Sequence, residues 1–276
     1  MTAMLLVGLK LSVAALILAI GLSSTWADLT YLWRRPWQLL RALFAMYVAI
    51  PVTAFFVLKA LPLPRAVEVA ILVLAVSAGA PLLPRKLMKV GHDSYMLSLV
   101  ATSSIVAVVA VPLWLDVLKP VYGLSVELTA LNVAGVIAGS FVGPLIVGML
   151  VRWRFPETGA RLGDRFLTIA SIALALFALL LLVLHGRTLL ELGWPSLVAL
   201  VALTFAALGI GHLLGGPAEN DRTALAIACA TRHVGIAMVV ASTVPGPRTA
   251  VLVTAYVLAA ALVSFPYLKA RTRTPA

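Results

Sequence analysis

The stretch RTALAIACATRHVGIAMVVAS, residues 222–242, decides the fold. It is apolar over the length of a membrane span, yet Arg232 and His233 sit at its middle. A charged residue at the bilayer centre costs roughly 2.5–3.5 kcal/mol on insertion scales, so it needs a partner or a wet cavity. Two readings stand on the residues alone. Arg232 is a structural arginine tied to carbonyls of a broken helix, or it is an anion-binding cation in a central cavity. His233 is either a neutral histidine bonded between helices or a further polar group of that cavity. Cys229 faces a similar direction on a helix and reads as small-residue packing. No second Cys or His lies at metal-ligand spacing, so no metal site is expected.

Composition extends this reading to the whole chain. Of 276 residues, 62% are hydrophobic and 11% charged, with a net charge of +11. A soluble domain is about half apolar and a quarter charged. The balance excludes a nucleic-acid-binding protein despite the basic excess, and the single cysteine excludes a disulfide scaffold. Apolar runs between charged or Pro/Gly breaks give about nine spans. They run near Ala3–Leu22, Leu39–Leu58, Val67–Leu83, Tyr95–Leu115, Leu128–Val151, Phe166–Leu184, Ser196–Leu214, Thr223–Ser242 and Ala250–Leu268. Lys10 interrupts the first, which lacks the basic start of a cleaved signal peptide. The chain is thus expected to be an all-α polytopic protein whose first partner is the lipid bilayer.

Counting Lys and Arg on alternate sides gives about 14 against about 5, leaving Lys10 and Arg232 within spans. That asymmetry places the N-terminus outside and the C-terminus in the cytoplasm, with a bacterial inner membrane as the expected location. All ten acidic residues lie in loops or near span ends. None is deep enough to neutralise Arg232.

A second irregularity is Ser77-Ala78-Gly79-Ala80-Pro81-Leu82-Leu83-Pro84. Pro81 and Pro84 remove amide donors and break the third span. The freed backbone groups must face protein or a water-lined cavity. A span simply ending at the surface is the alternative. The third and eighth spans hold equivalent places in two halves that enter the membrane from opposite sides, around the fifth. Interrupted helices so placed point to a transporter's binding site. Gly79, Pro81, Pro84 and Gly235 are the expected break residues. Ser77, Thr102, Ser103, Ser104 and Thr231 are the expected hydroxyl contributors, with Asn132, Ser140 and Thr204 as weaker candidates.

These features, in this order, resemble the bile acid:sodium symporter family within the bile/arsenite/riboflavin transporter superfamily. The resembling residues are Gly21-Leu22, Ala27-Asp28-Leu29, Arg34-Arg35-Pro36 and Pro51. Ser77 to Pro84 falls where the family carries a Cys-Pro-Gly-Gly-Thr-x-Ser-Asn motif, with Gly79 matching a motif glycine. Gly91-His92-Asp93, Thr102 to Ser104 and Pro112-Leu113 fit the helix that follows. Arg222-Thr223 and Ile227 to Ala237 fit the second broken helix. The resemblance implies a panel domain and a core domain, with two discontinuous helices crossing in the core. On that pattern 1–24 and 127–186 form the panel. The core comprises 38–117, with a broken helix at 65–91, and 195–269, with a broken helix at 222–243. Residues 270–276 are a cytoplasmic tail.

The departures from the family are as informative. Its sodium ligands include the motif Ser-Asn, where this chain has Leu83 and Pro84. They also include a Glu and a Gln, where it has Ala228 and Arg232, and the neighbouring Asn is His233. The expectation is an alternating-access transporter of a small organic anion, with no cofactor and no sodium coupling. Arg232 binds the anion, and His233 is available for proton coupling. Two alternatives stay open: sodium symport through shifted oxygen ligands, and a non-transporting membrane sensor or assembly subunit. Enzymatic chemistry is not expected, since no nucleophile–base–carboxylate set or phosphate-cradling loop occurs.

Overall fold

Two prolines set the shape of two of the long helices. Pro51 has no amide hydrogen, and its ring crowds the carbonyl four residues back. Around it helix α3 (Pro36–Ala60) widens into a π-turn over Ala45–Ala49. The Tyr47 carbonyl left without its helical donor accepts from the Trp114 indole N–H at 2.8 Å. Helix α6 (130–154) repeats the device, with a π-turn over Ala138–Val142 followed by Gly143 and Pro144. In lipid such a substitute donor is required, because no water is present to satisfy a freed carbonyl.

The computed structural model describes residues 2–78, 93–122, 130–184, 186–187, 193–232, 237 and 248–272. Besides α3 and α6 it contains α1 (Thr2–Ser23), the short α2 (Trp26–Leu29) and α4 (Arg65–Val76). Then come α5 (Asp93–Tyr122), α7 (Pro156–Leu184), α8 (Trp194–Leu214), α9 (Glu219–Ala230) and α10 (Arg248–Thr272). No strand occurs among the described residues. Lys10 does not interrupt α1; its side chain is exposed and the helix runs through.

Among the described residues, four helical segments are long and apolar enough to cross a membrane: Pro36–Ala60, Ser94–Leu118, Trp194–Leu214 and Val251–Arg271. Helices α4 and α9 are different. Each has 12 residues, a length of about 18 Å at 1.5 Å per residue, against about 30 Å of hydrocarbon. Both are nonetheless almost wholly buried: every residue of α4 from Val69 to Val76, and of α9 from Thr223 to Ala230. They end inside the protein. Their last residues, Val76 and Ala230, fall within the segments 67–83 and 223–242 read from the sequence as spans.

Helix α1 packs chiefly against α6 and α7, while α8 packs against α9 and α10, and α4 against α3 and α10. The hydrophobic effect does not separate helices from lipid, so close approach relies on small residues. A Cβ on Gly148 of α6 would lie 2.7 Å from the Leu22 amide nitrogen of α1, and one on Gly21 would strike the Leu145 carbonyl. Gly211 plays the same part between α8 and α9, 2.6 Å from the Ala226 Cα.

Gly148→Leu is expected to force α1 and α6 apart and to lower stability by about 1–3 kcal/mol. Gly135→Ala, where nothing lies within 4 Å, is expected to be neutral or slightly stabilising. Thermal unfolding of the two variants in detergent checks the contrast.

Candidate functional site

A helix that ends inside the protein leaves its last carbonyls without helical donors. At the end of α4 all four find partners. The Val73 carbonyl accepts from the Ser77 amide at 3.1 Å, and the Val76 carbonyl from the Ala78 amide at 3.0 Å. The other two accept from one side chain. Arg232 donates through Nε to the Leu74 carbonyl at 2.8 Å and through Nη2 to the Ala75 carbonyl.

Arg232 itself lies two residues past the end of α9. The backbone leaves the helix at Thr231 (φ −93°, ψ 106°), whose hydroxyl donates back to the Ile227 carbonyl at 2.7 Å. The Ala230 carbonyl accepts from the Tyr256 hydroxyl of α10 at 2.7 Å. The Cys229 carbonyl receives Arg232 Nη1 at 3.5 Å. One guanidinium, 1% exposed, therefore joins the C-terminal ends of α4 and α9, which are far apart in sequence. Both are helix C-termini, where partial negative charge accumulates and a cation is stabilised. Among the described residues no carboxylate pairs with it. Three of its five N–H groups are engaged in these bonds.

The hydroxyls divide into two sets. Thr102 accepts from the Trp33 indole N–H at 3.0 Å, and Ser103 donates to the Val100 carbonyl at 3.1 Å. The Ser103 carbonyl also accepts from the Tyr47 hydroxyl. Thr231 is engaged at Ile227. Ser77 and Ser104, by contrast, are buried with no hydrogen-bond partner for Oγ. Of the hydroxyls picked out in the sequence, these two keep donor and acceptor capacity near the α4 break and in α5. Gly79, Pro81, Pro84, His233 and Gly235 lie outside the described residues. No group of three or more His, Cys, Asp or Glu side chains is placed to hold a metal among the described residues.

A row of polar contacts that sequence reasoning missed runs along α5. Ser94 donates to Asp28 Oδ1 at 2.5 Å, the Leu32 amide donates to Ser98 Oγ at 2.9 Å, and Trp33 reaches Thr102. Positions 94, 98 and 102 repeat every four residues and so share one helix face. They fasten the segment joining α1 to α3 against α5. That spacing was the available signal. Asp28 anchors the row. Burial pushes its carboxyl up, but hydrogen bonds from Ser94 and Thr25, with the Arg152 charge beyond, pull it further down, below the usual carboxylate range.

Two outcomes follow from this geometry. Arg232→Met removes the donor from three buried carbonyls and is expected to cost about 2–5 kcal/mol, with Arg232→Lys intermediate; chemical or thermal unfolding measures both. Asp28 has a depressed folded-state pKa, so its contribution is complete above the unfolded carboxylate pKa and is lost as pH falls through the folded one. Protection of the Leu32 amide against hydrogen exchange, taken relative to its intrinsic rate, should fall only in acid, and Asp28→Asn should remove that dependence.

The sequence model of the sodium bile acid symporter family matches residues 10–192. No curated protein matches the chain. The matched region includes α4, Ser77 and the α5 hydroxyls, and it stops before α8, α9 and Arg232. It spans more than half of the 276 residues, and the family is one of membrane transporters rather than enzymes. The chain belongs to the sodium bile acid symporter family.

Proposed function

We propose that this protein is a secondary transporter that carries a small organic anion across the membrane by alternating access, without sodium. The observation that carries the reading is the Arg232 guanidinium, held on the Leu74, Ala75 and Cys229 carbonyls as a structural arginine would be, yet with no described carboxylate to neutralise its charge. Sodium binds to oxygen ligands, commonly carbonyls and carboxylates near helix breaks. Here those carbonyls already face a fixed cation that cannot dissociate or deprotonate at working pH. The permanent charge takes the place of a bound ion, and the family's ion ligands are replaced by Ala228 and Arg232 itself.

The same charge attracts the substrate. With no described carboxylate beside it, Arg232 keeps a net positive field at the end of two broken helices. The anion meets that field and the two N–H groups not bonded to carbonyls, with Ser77 and Ser104 offering unengaged hydroxyls. His233 adds a proton-coupling group in this reading. Helices α1, α6 and α7 form the panel, and α3 to α5 with α8 to α10 form the core that moves against it. The packing preference of α1 for α6 and α7 supports that division. The asymmetry of Lys and Arg supports an outside N-terminus and a cytoplasmic C-terminus in a bacterial inner membrane.

The unpartnered Ser77 and Ser104 oxygens favour one second reading, sodium symport through shifted hydroxyl ligands. Uptake into proteoliposomes separates the two. Exchanging sodium for potassium is expected to leave anion uptake unchanged, and Arg232→Ala to reduce it by roughly tenfold or more, the loss of one charge-assisted contact or its equivalent. Strictly sodium-dependent uptake that survives Arg232→Ala and is lost in Ser104→Ala would overturn the proposal in favour of symport.

A further inference from the structure

The segment joining α1 to α3 has two unlike faces. Its inner face is fixed to α5 by Asp28, the Leu32 amide and Trp33, and by an edge-on contact of Tyr31 with Tyr95 at 6.5 Å. Leu32 is fully buried. The outer face carries Trp26, Trp33 and Trp37, each at least 60% exposed. Interleaved with them are Arg34, Arg35 and Arg41. The Arg35 guanidinium sits 4.2 Å over the Tyr31 ring, and that of Arg41 5.3 Å over Trp37. The one acid of the segment, Asp28, is turned to Thr25 and Ser94. Residues 29–41 contain no other acid, so the outer face is positive and aromatic together.

These two properties select one occupant. Indole rings settle at the level of lipid headgroups, with the ring in the apolar side and the N–H toward the polar one. Guanidinium groups match phosphate oxygens in paired, directional hydrogen bonds. A soluble anion would need the arginines and not the three tryptophans; a zwitterionic lipid would need the tryptophans and not the charge. We propose that residues 26–41 form a binding surface for an anionic phospholipid, its phosphate on Arg34 and Arg35 and its acyl chains against Trp33 and Trp37. The orientation proposed above puts this surface in the cytoplasmic leaflet, where anionic lipid charge acts on juxtamembrane basic residues. Trp33 then has two roles. Its ring faces lipid while its N–H holds Thr102, one residue from the Ser103 carbonyl that receives Tyr47.

The test uses the full chain in nanodiscs of phosphatidylcholine containing a minor fraction of phosphatidylglycerol, which expose both faces equally and do not depend on the orientation. Native mass spectrometry counts retained lipid, and thermal unfolding gives the linked stabilisation. Wild type is expected to retain phosphatidylglycerol preferentially and to unfold at a higher temperature with it. Arg34→Ala/Arg35→Ala should weaken retention roughly tenfold or more, at about one kcal/mol per arginine near the surface. Arg34→Lys/Arg35→Lys, which keeps the charge but not the paired hydrogen bonds, should fall between the wild type and the alanine variant. Arg161→Ala/Arg165→Ala, an exposed basic pair on α7, should leave it unchanged, and Trp33→Phe should keep the lipid preference while lowering stability. Absence of preference for phosphatidylglycerol in the wild type would overturn the proposal. So would an equal loss in the α7 variant, or the same stabilisation from inorganic phosphate in phosphatidylcholine alone.

Discussion

A guanidinium buried between two helix ends holds the centre of this protein together. Helices α4 and α9 stop within the protein, and each stop exposes carbonyls that neither lipid nor water can satisfy. Arg232 supplies donors to both ends at once, through Nε and Nη2 to α4 and through Nη1 to α9. Its charge is tolerated because the ends it touches are the negative ends of helices. Neither the break nor the buried charge is stable without the other. Together they turn two costly features into one joint.

That joint constrains the surrounding helices. Tyr256 of α10 closes the last carbonyl of α9, and Tyr47 of α3 reaches the Ser103 carbonyl of α5. Trp114 of α5 returns a donor to the carbonyl that Pro51 leaves open in α3. Each aromatic residue uses its polar tip to complete a backbone that an irregularity has opened. The polar interior is thus mostly backbone carbonyl satisfied by side chains, with the Ser77 and Ser104 hydroxyls among the few buried polar groups left over. On the proposed function, those leftovers and the unneutralised charge are what a small anion meets.

Part of this was legible in the sequence. Arg232 stood out because apolar neighbours flank it for a full span; the prolines read as breaking the third span lie outside the described residues. The all-α membrane class followed from composition alone. The partners of Arg232 were not legible, because Leu74 and Ala75 contribute carbonyls, and every residue has one. A contact across 158 positions between a side chain and main chain leaves no mark in a single sequence. The Ser94, Ser98 and Thr102 row was visible as a spacing of four. Hydroxyls at such spacing more often bond to their own helix, as Thr204 and Thr223 do here. Lys10 misled for the opposite reason: a charged residue in an apolar run was read as an interruption, whereas its exposed side chain leaves α1 intact.

The central claim is that a fixed cation stands where relatives of this chain use a mobile one. The most direct measurement is thermal unfolding of the purified protein as sodium replaces choline at constant ionic strength. A ligand that binds the folded state raises its unfolding temperature in a saturable way. With Arg232 already on the carbonyls of both broken helices, the unfolding temperature should not move with sodium. A saturable rise at millimolar sodium in the wild-type protein would contradict the account.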